Sequence, residues 1–284
     1  MTSIALVTCN GAPDQDLPLL REAVGAEVVI WDDPAVAWER FDLVVLRSTW
    51  DYTARAAEFL AWTERCAAVT RLANPAQVVR WNADKRYLGE LAAAGVPVVP
   101  TRYLAPGEDG VELPADHEFV LKPATSAGAR LSARYRPEER EQALRHLARL
   151  HEEGYTALLQ PFVRRIDSTG ERALVHCAGT FSHAIRKGSV LEPGVRYDEQ
   201  KNAHPGVSRW EPTEAELRVA RQALAAVPGS PELLYARVDL VDGEDGEPQL
   251  MELELIEPQL FLTVDQDALS VFATAIRKSA ESTR

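Results

Sequence analysis

Cysteine, lysine and long apolar runs are scarce in this sequence, and each scarcity excludes a class of protein. The three cysteines, Cys9, Cys66 and Cys177, are odd in number and far apart, which argues against a disulfide framework or a structural zinc site. We expect them to be buried thiols. No stretch approaches the roughly 20 consecutive apolar residues of a membrane span, so we expect a soluble protein.

Positive charge is also scarce. Lys and Arg number 31 against 43 Asp and Glu, a formal net charge of -12 that disfavours nucleic acid as a partner. Small-molecule chemistry is the better expectation. Lys85, Lys122 and Lys187 each fall in a motif-like stretch, and lysine is the compact point charge that proteins place on nucleotide phosphates. Structural lysines would give the same pattern.

The size and the start of the chain narrow its class. A chain of 284 residues exceeds the size at which one core usually keeps growing, so we expect two or three packed subdomains. Residues 1–7 lead straight into a buried-strand pattern, without the basic and apolar regions of a signal peptide. This start predicts a cytoplasmic location.

The most informative stretch is residues 250–257, where apolar and acidic side chains alternate as in a half-buried strand. Glu252 and Glu254 therefore share a face. Residues 242–246 form a hairpin signal that places Asp239 of the preceding strand across from them. Three carboxylates with room for phosphate oxygens suit Mg²⁺. An ordinary hairpin with a solvated acidic face would show the same alternation.

The first 80 residues alternate between strand and helix patterns, which predicts a small open parallel sheet with ligands at the carboxyl ends of its strands. Residues 47–52 lie at such an end. We expect Arg47, Ser48 and Asp51 to bind a small amino acid, with Arg47 and Asp51 pairing with its carboxylate and ammonium groups. Ser48 or Asp51 could equally serve as caps of the strand end and the following helix.

Taken in order, several short motifs resemble those of the ATP-grasp superfamily. They are Lys85 on a predicted helix, residues 121–123 before a small-residue loop, 159–163, 171–172, 237–240 and 251–254. The resemblance covers nearly the whole chain, and the implied lobes are similar to those of prokaryotic glutathione synthetase and the ribosomal-protein glutamate ligases. It implies an α/β and α+β architecture: a pre-ATP-grasp domain over residues 1–80, a central lobe over 81–157 and a C-terminal lobe with the metal site over 158–284.

The resemblance also implies a role for each matching residue. Lys85, Lys122, Ser126, Gly128, Gln160, Phe162 and Val163 would contact ATP, while Asp239, Glu252 and Glu254 would hold Mg²⁺. Arg172 and Arg186 would face the transferring phosphate and the anionic substrate. One position departs from the family, because Glu254 replaces the usual asparagine of a Glu-x-Asn metal motif and adds a negative charge.

The stretches 47–52, 183–187 and 257–258 most resemble a branch of the superfamily that contains O-ureido-serine cyclo-ligases of cycloserine biosynthesis. The resemblance implies that a substrate carboxylate is phosphorylated by ATP and that an amine then displaces phosphate. The alternatives are an intermolecular carboxylate–amine ligase, a small-molecule kinase and a non-catalytic nucleotide-binding module. Oligomers of soluble proteins are most often C2 dimers, so we expect a homodimer.

Overall fold

The computed structural model describes residues 2–108, 110–199, 201, 203, 205–229 and 231–282. Within these ranges the strands form three sheets, of four, four and five strands. No helix of the described part is long and apolar enough to cross a membrane.

The first sheet is parallel throughout. Every residue of its two central strands is buried, as expected of parallel strands covered on both faces. Its elements are β1 Ile4–Thr8, α1 Asp16–Val24, β2 Glu27–Ile30, β3 Leu43–Ser48, α2 Ala56–Val69 and β4 Leu72–Ala73. The predicted alternation of strand and helix is confirmed here.

Two short helices, α3 Ala76–Asn82 and α4 Tyr87–Ala93, connect the first sheet to the second. Lys85 lies in the turn between them, not on a helix as predicted. The second sheet is antiparallel, and α5 packs on it through Ala143, Leu147 and Leu150. Its elements are β5 Arg102–Leu104, β6 Phe119–Pro123, β7 Ala133–Tyr135, α5 Arg140–Glu152 and β8 Ala157–Pro161.

The third sheet carries the predicted acidic hairpin as its last two strands, which pair antiparallel. Helix α7 packs against the hairpin through Val219, Ala220 and Ala223. The elements of this region are α6 Ile166–Thr169, β9 Glu171–Cys177, β10 Thr180–Lys187, β11 Ser208–Trp210, α7 Glu214–Ala225, β12 Tyr235–Asp242 and β13 Pro248–Glu254.

The final helix, α8 Gln266–Glu281, returns to the first sheet. Its Phe272 and Ile276 share a core with Leu6 of β1, Leu20 of α1 and Tyr235 of β12. The first and third sheets are therefore joined by one apolar cluster. The domain limits stay a prediction, and the proposed boundary between residues 157 and 158 falls inside β8 of the second sheet.

Candidate active site

Two adjoining cavities share one charged wall. The first lies between the second and third sheets and has an apolar end made by Val99, Val120, Phe162 and Met251. The second lies where the chain leaves β3 and β13, beside Trp50, Tyr52 and Glu257. The residues that line both cavities include Lys85, Ser126, Gly128, Arg237, Glu252 and Glu254. A ligand in either cavity therefore meets the same charged groups.

The acidic side chains of the shared wall come from the β12–β13 hairpin. Asp239 lies opposite Glu252, and Arg237 lies opposite Glu254. Residues two apart on a strand point to the same face, so all four side chains face the first cavity. The predicted placement of Asp239 across from the glutamates is confirmed.

Each of these acids is paired with a cation. Arg237 donates to both oxygens of Asp239 at 2.8 Å and also bonds to Glu254. Lys187 Nζ lies 3.4 Å from Asp239 Oδ2 and 2.7 Å from Glu171 Oε1. Lys85 Nζ lies 3.0 Å from Glu252 Oε1. The wall is thus a network of buried opposite charges.

This network separates the pKa values of the acids. Burial would raise the pKa of Asp239, but Arg237 and Lys187 hold it well below its usual range. Burial likewise opposes ionisation of Glu252, yet Lys85 and Lys122 lower its pKa. For Glu254, burial outweighs Arg237 and raises the pKa to about 8. Asp239 is therefore firmly ionised, whereas Glu254 holds its proton near neutral pH.

A loop after β6 closes over both cavities. Lys85 Nζ donates to the Ser126 carbonyl at 2.7 Å and lies 3.1 Å from its hydroxyl. Gly128 and Ala129 have φ values of 63° and 58°, in the left-handed region. Successive backbone N–H groups in such conformations form concave anion sites, so the loop can bind phosphate oxygens.

Comparisons with known proteins identify the family. The profile of the N-terminal domain of D-cycloserine synthetase DcsG matches residues 4–74. The cycloserine biosynthesis protein DcsG of Streptomyces lavendulae is 42% identical in an alignment 278 residues long, with 93% of this chain and 93% of that protein covered. This chain belongs to the DcsG family of ATP-grasp ligases.

Solved structures extend the likeness to the DcsG fold as a whole. The crystal structure of D-cycloserine synthetase DcsG has a TM-score of 0.90 at 40% identity and covers 98% of this chain and 99% of that one. D-alanine–D-alanine ligase from Bacillus anthracis shares the fold with a TM-score of 0.70 at 14% identity, and the match covers 99% of this chain and 97% of that one. The ATP-grasp ligase PsnB has a TM-score of 0.63 at 18% identity, and the match covers 98% of this chain and 100% of that one. The predicted ATP-grasp fold is confirmed.

All residues that the resemblance assigned to ATP line the first cavity of this DcsG-family chain. They are Lys85, Lys122, Ser126, Gly128, Gln160, Phe162 and Val163. Gln160 is fixed by a 2.8 Å bond from its Nε2 to Thr101 Oγ1. Phe162 is fixed by Arg134, whose guanidinium lies 3.4 Å from the ring centroid.

The acids fit a metal ion that is bound together with phosphate. Among the described residues, no group of three or more His, Cys, Asp or Glu is arranged to hold a metal ion. Mg²⁺ commonly takes one or two carboxylates, with water and substrate phosphates as the remaining ligands. Asp239, Glu252 and Glu254 offer hard oxygen atoms on one wall of the first cavity, which suits that mode of binding.

The structure does not bring Arg172 and Arg186 to either cavity. Arg172 is buried against α7, where it bonds to Glu216 at 2.8 Å and to Asp242. Arg186 donates to the carbonyls of Thr169 and Ser168. The physical reason is strand alternation: each arginine neighbours a residue that does line the first cavity, and adjacent residues point to opposite faces.

Arg47, Ser48 and Asp51 are also absent from the walls of both cavities. Arg47 is 1% exposed, and its Nη2 donates to the Pro258 carbonyl at 3.0 Å. The Ser48 hydroxyl bonds to Thr8 Oγ1, and Asp51 accepts from Trp31 and Arg55. Ser48 and Asp51 are therefore structural, as one alternative anticipated, but they bond to side chains of the N-terminal domain and do not cap the following helices. Arg47 instead ties that domain to the segment after β13.

Sequence reasoning missed several residues of the cavity walls. Glu171 and Lys187 immediately neighbour the two misplaced arginines, and Arg237 lies two residues before Asp239. The alternation that put Glu252 and Glu254 on one face could have found Arg237. Tyr52 and Glu257 lie outside the strands, in the stretches 47–52 and 257–258 that the resemblance singled out without giving either residue a role.

Proposed function

We propose that this protein is an ATP-dependent cyclo-ligase that forms the ring of cycloserine from an O-ureidoserine. The observation that carries the proposal is the pair of cavities with a shared charged wall, in a chain similar to DcsG over 93% of its length. One cavity has the apolar and basic character that a nucleotide needs. The other suits one small amino acid.

In this proposal ATP occupies the first cavity. The adenine ring lies between Val99, Val120, Phe162 and Met251, and Gln160 to Val163 form the hinge beside it. The phosphates lie toward Lys85, Lys122 and the loop over residues 126–128. Mg²⁺ is held by Asp239, Glu252 and Glu254 and supplies charge neutralisation for the phosphates. Relatives by fold have been solved with ATP and with Mg and ADP, which supports this assignment.

The substrate occupies the second cavity. Its carboxylate oxygen attacks the γ-phosphorus of ATP, ADP leaves and an acyl phosphate forms. The nitrogen bonded to the side-chain oxygen then attacks the acyl carbon, so that a C–N bond forms, phosphate departs and the nitrogen loses its proton. The carbamoyl group left on the ring nitrogen is released with one water as ammonia and carbon dioxide.

The protein's share of this chemistry is positioning and charge stabilisation. Arg237 and Lys187 take the roles first expected of Arg172 and Arg186, because both line the first cavity beside Asp239.

The test is product analysis with purified protein, ATP, Mg²⁺ and O-ureido-D-serine. We expect D-cycloserine, ADP and inorganic phosphate in equal amounts. Release of AMP and pyrophosphate would instead mean an adenylating enzyme. A phosphorylated product without free phosphate would mean a kinase, and nucleotide binding without turnover against any amino acid or amine would mean a binding module.

A further inference from the structure

Glu257 is a buried carboxylate that has no salt-bridge partner among the residues the structure describes. It is 7% exposed and lines the second cavity. The nearest cations on that wall are committed elsewhere: Lys85 pairs with Glu252, and Arg237 pairs with Asp239 and Glu254. Within the described part of the chain, no Lys, Arg or His forms a salt bridge with Glu257. Burial raises the pKa of Glu257 to about 7, so the carboxyl is poised between its neutral and ionised forms, and a cationic ligand in the cavity would favour the ionised one.

The backbone around Glu257 is fixed by the N-terminal domain. Trp50 Nε1 donates to the Glu257 carbonyl at 3.1 Å, and Arg47 Nη2 donates to the next carbonyl, that of Pro258, at 3.0 Å. The Asp16 carboxylate accepts from the backbone N–H groups of Leu260 at 3.0 Å and Leu262 at 2.9 Å. A segment held from three side chains presents a preorganised group, as a recognition site requires.

Two aromatic rings complete the surroundings. Trp50 and Tyr52 line the second cavity with Glu257, and Tyr52 is 4% exposed. A carboxylate accepts a charge-assisted hydrogen bond from an ammonium group, and the apolar rings beside it limit competition from water. A carboxylate set among aromatic rings therefore suits an ammonium group and repels an anion.

We propose that Glu257 binds the α-ammonium group of the amino-acid substrate, beside Trp50 and Tyr52. The proposal rests on the function proposed above, which supplies an amino acid for this cavity. It replaces Asp51, which lies outside the cavity, as the partner of that ammonium group. With the ammonium held at Glu257, the rest of the substrate points toward Lys85 and Arg237 on the shared wall.

The test compares two ligands that differ only in the amino group: D-cycloserine and isoxazolidin-3-one, the same ring without that group. Calorimetry in the presence of Mg²⁺ and ADP should show roughly tenfold or greater preference for D-cycloserine in the parent protein, because a buried charge-assisted bond is lost with the amine. Glu257→Gln should abolish this preference and raise the KM for O-ureido-D-serine, with the KM for ATP unchanged. Glu257→Asp should restore part of the preference.

Glu141→Gln is the matched control, because the Glu141 side chain is 90% exposed on α5. It should behave like the parent protein. Turnover of O-ureido-D-serine with an unaltered amine preference in Glu257→Gln would overturn the Glu257 assignment and leave the proposed function standing. If O-ureido-D-serine is not turned over, the proposed function fails. In that case the same variants are compared with a standard amino acid that stimulates ADP release. If no amino acid binds to the protein, both proposals are overturned.

Discussion

At the scale of single residues, the three acids of the hairpin differ in what holds them. Asp239 accepts two bonds from Arg237 and lies near Lys187, and its pKa is lowered. Glu254 bonds to the same arginine, yet burial and its acidic neighbours raise its pKa. Neutralising Asp239 takes two bonds from Arg237 and one of its two acidic partners from Lys187, whereas Glu254 is protonated near neutral pH, so replacing it with glutamine removes little charge.

We predict that Asp239→Asn, Glu252→Gln and Glu254→Gln each lose most Mg²⁺-dependent turnover, because each deletes a charge that would hold the metal. Their stabilities should diverge. Asp239→Asn should lower the free energy of unfolding by about 3 kcal/mol, the scale of a broken buried ion pair, while Glu254→Gln leaves it unchanged or raises it. Melting curves measured without metal check whether Asp239→Asn is less stable than Glu254→Gln. Full activity in all three variants would refute the metal assignment.

A second pair of variants separates a structural cation from a cation of the site. Arg172→Met should destabilise the protein by about 3–5 kcal/mol, because Glu216 and Asp242 lose their buried partner, but kcat/KM per folded molecule should change little. Lys187→Met should lower kcat/KM strongly. Steady-state kinetics corrected for the folded fraction distinguish the two. If kcat/KM per folded molecule fell strongly in Arg172→Met but not in Lys187→Met, Arg172 and not Lys187 would be the cation that acts in the reaction.

At the scale of elements, the hairpin and the first sheet were predictable because their signals are periodic and local. Alternation over 250–254 and the turn at 242–246 give both the strands and the face that the acids share. In β9 and β10 the motif resemblance points to Arg172 and Arg186, whereas alternation turns their neighbours Glu171 and Lys187 toward the first cavity. The position of Glu257 depends on hydrogen bonds from Arg47, Trp50 and Asp16 to its segment. Each of these bonds joins residues more than 200 apart in sequence, which no local pattern encodes.

Arg47 is a positioning residue, because its guanidinium holds the Pro258 carbonyl in the segment that follows β13. Arg47→Ala should raise the KM for the amino-acid substrate and leave the KM for ATP nearly unchanged. Because Arg47 acts through the backbone next to Glu257, its effect and that of Glu257→Gln should be non-additive in a double-mutant cycle. Additive effects would mean that Arg47 acts on the substrate by another route.

At the scale of the whole molecule, the first and third sheets are joined through α8, while the second sheet has a core drawn mainly from its own strands and α5. The second cavity is built where β3 and β13 end, in the joined part, and the loop over residues 126–130 of the second sheet closes over it. The first cavity lies at the contact with the second sheet. The homodimer and the cytoplasmic location stay predictions.

Two buried histidines predict how stability depends on pH. His146 is 0% and His176 is 4% exposed, and burial lowers the pKa of each from 6.5 to about 4. Between these values the unfolded chain binds more protons than the native one, so the free energy of unfolding falls as the pH drops from 6.5 toward 4. Each histidine contributes at most about 3 kcal/mol. Urea titrations of His176→Gln should show a shallower decline than the parent, and an identical decline would contradict the assignment.

The central claim is that a carboxylate in the second cavity is phosphorylated by ATP in the first. The most direct measurement is turnover of O-ureido-D-serine labelled with ¹⁸O in both carboxylate oxygens, followed by mass spectrometry of the inorganic phosphate. Transfer through an acyl phosphate predicts one ¹⁸O in each phosphate and one in the carbonyl of the product. Unlabelled phosphate formed alongside cycloserine would contradict the account.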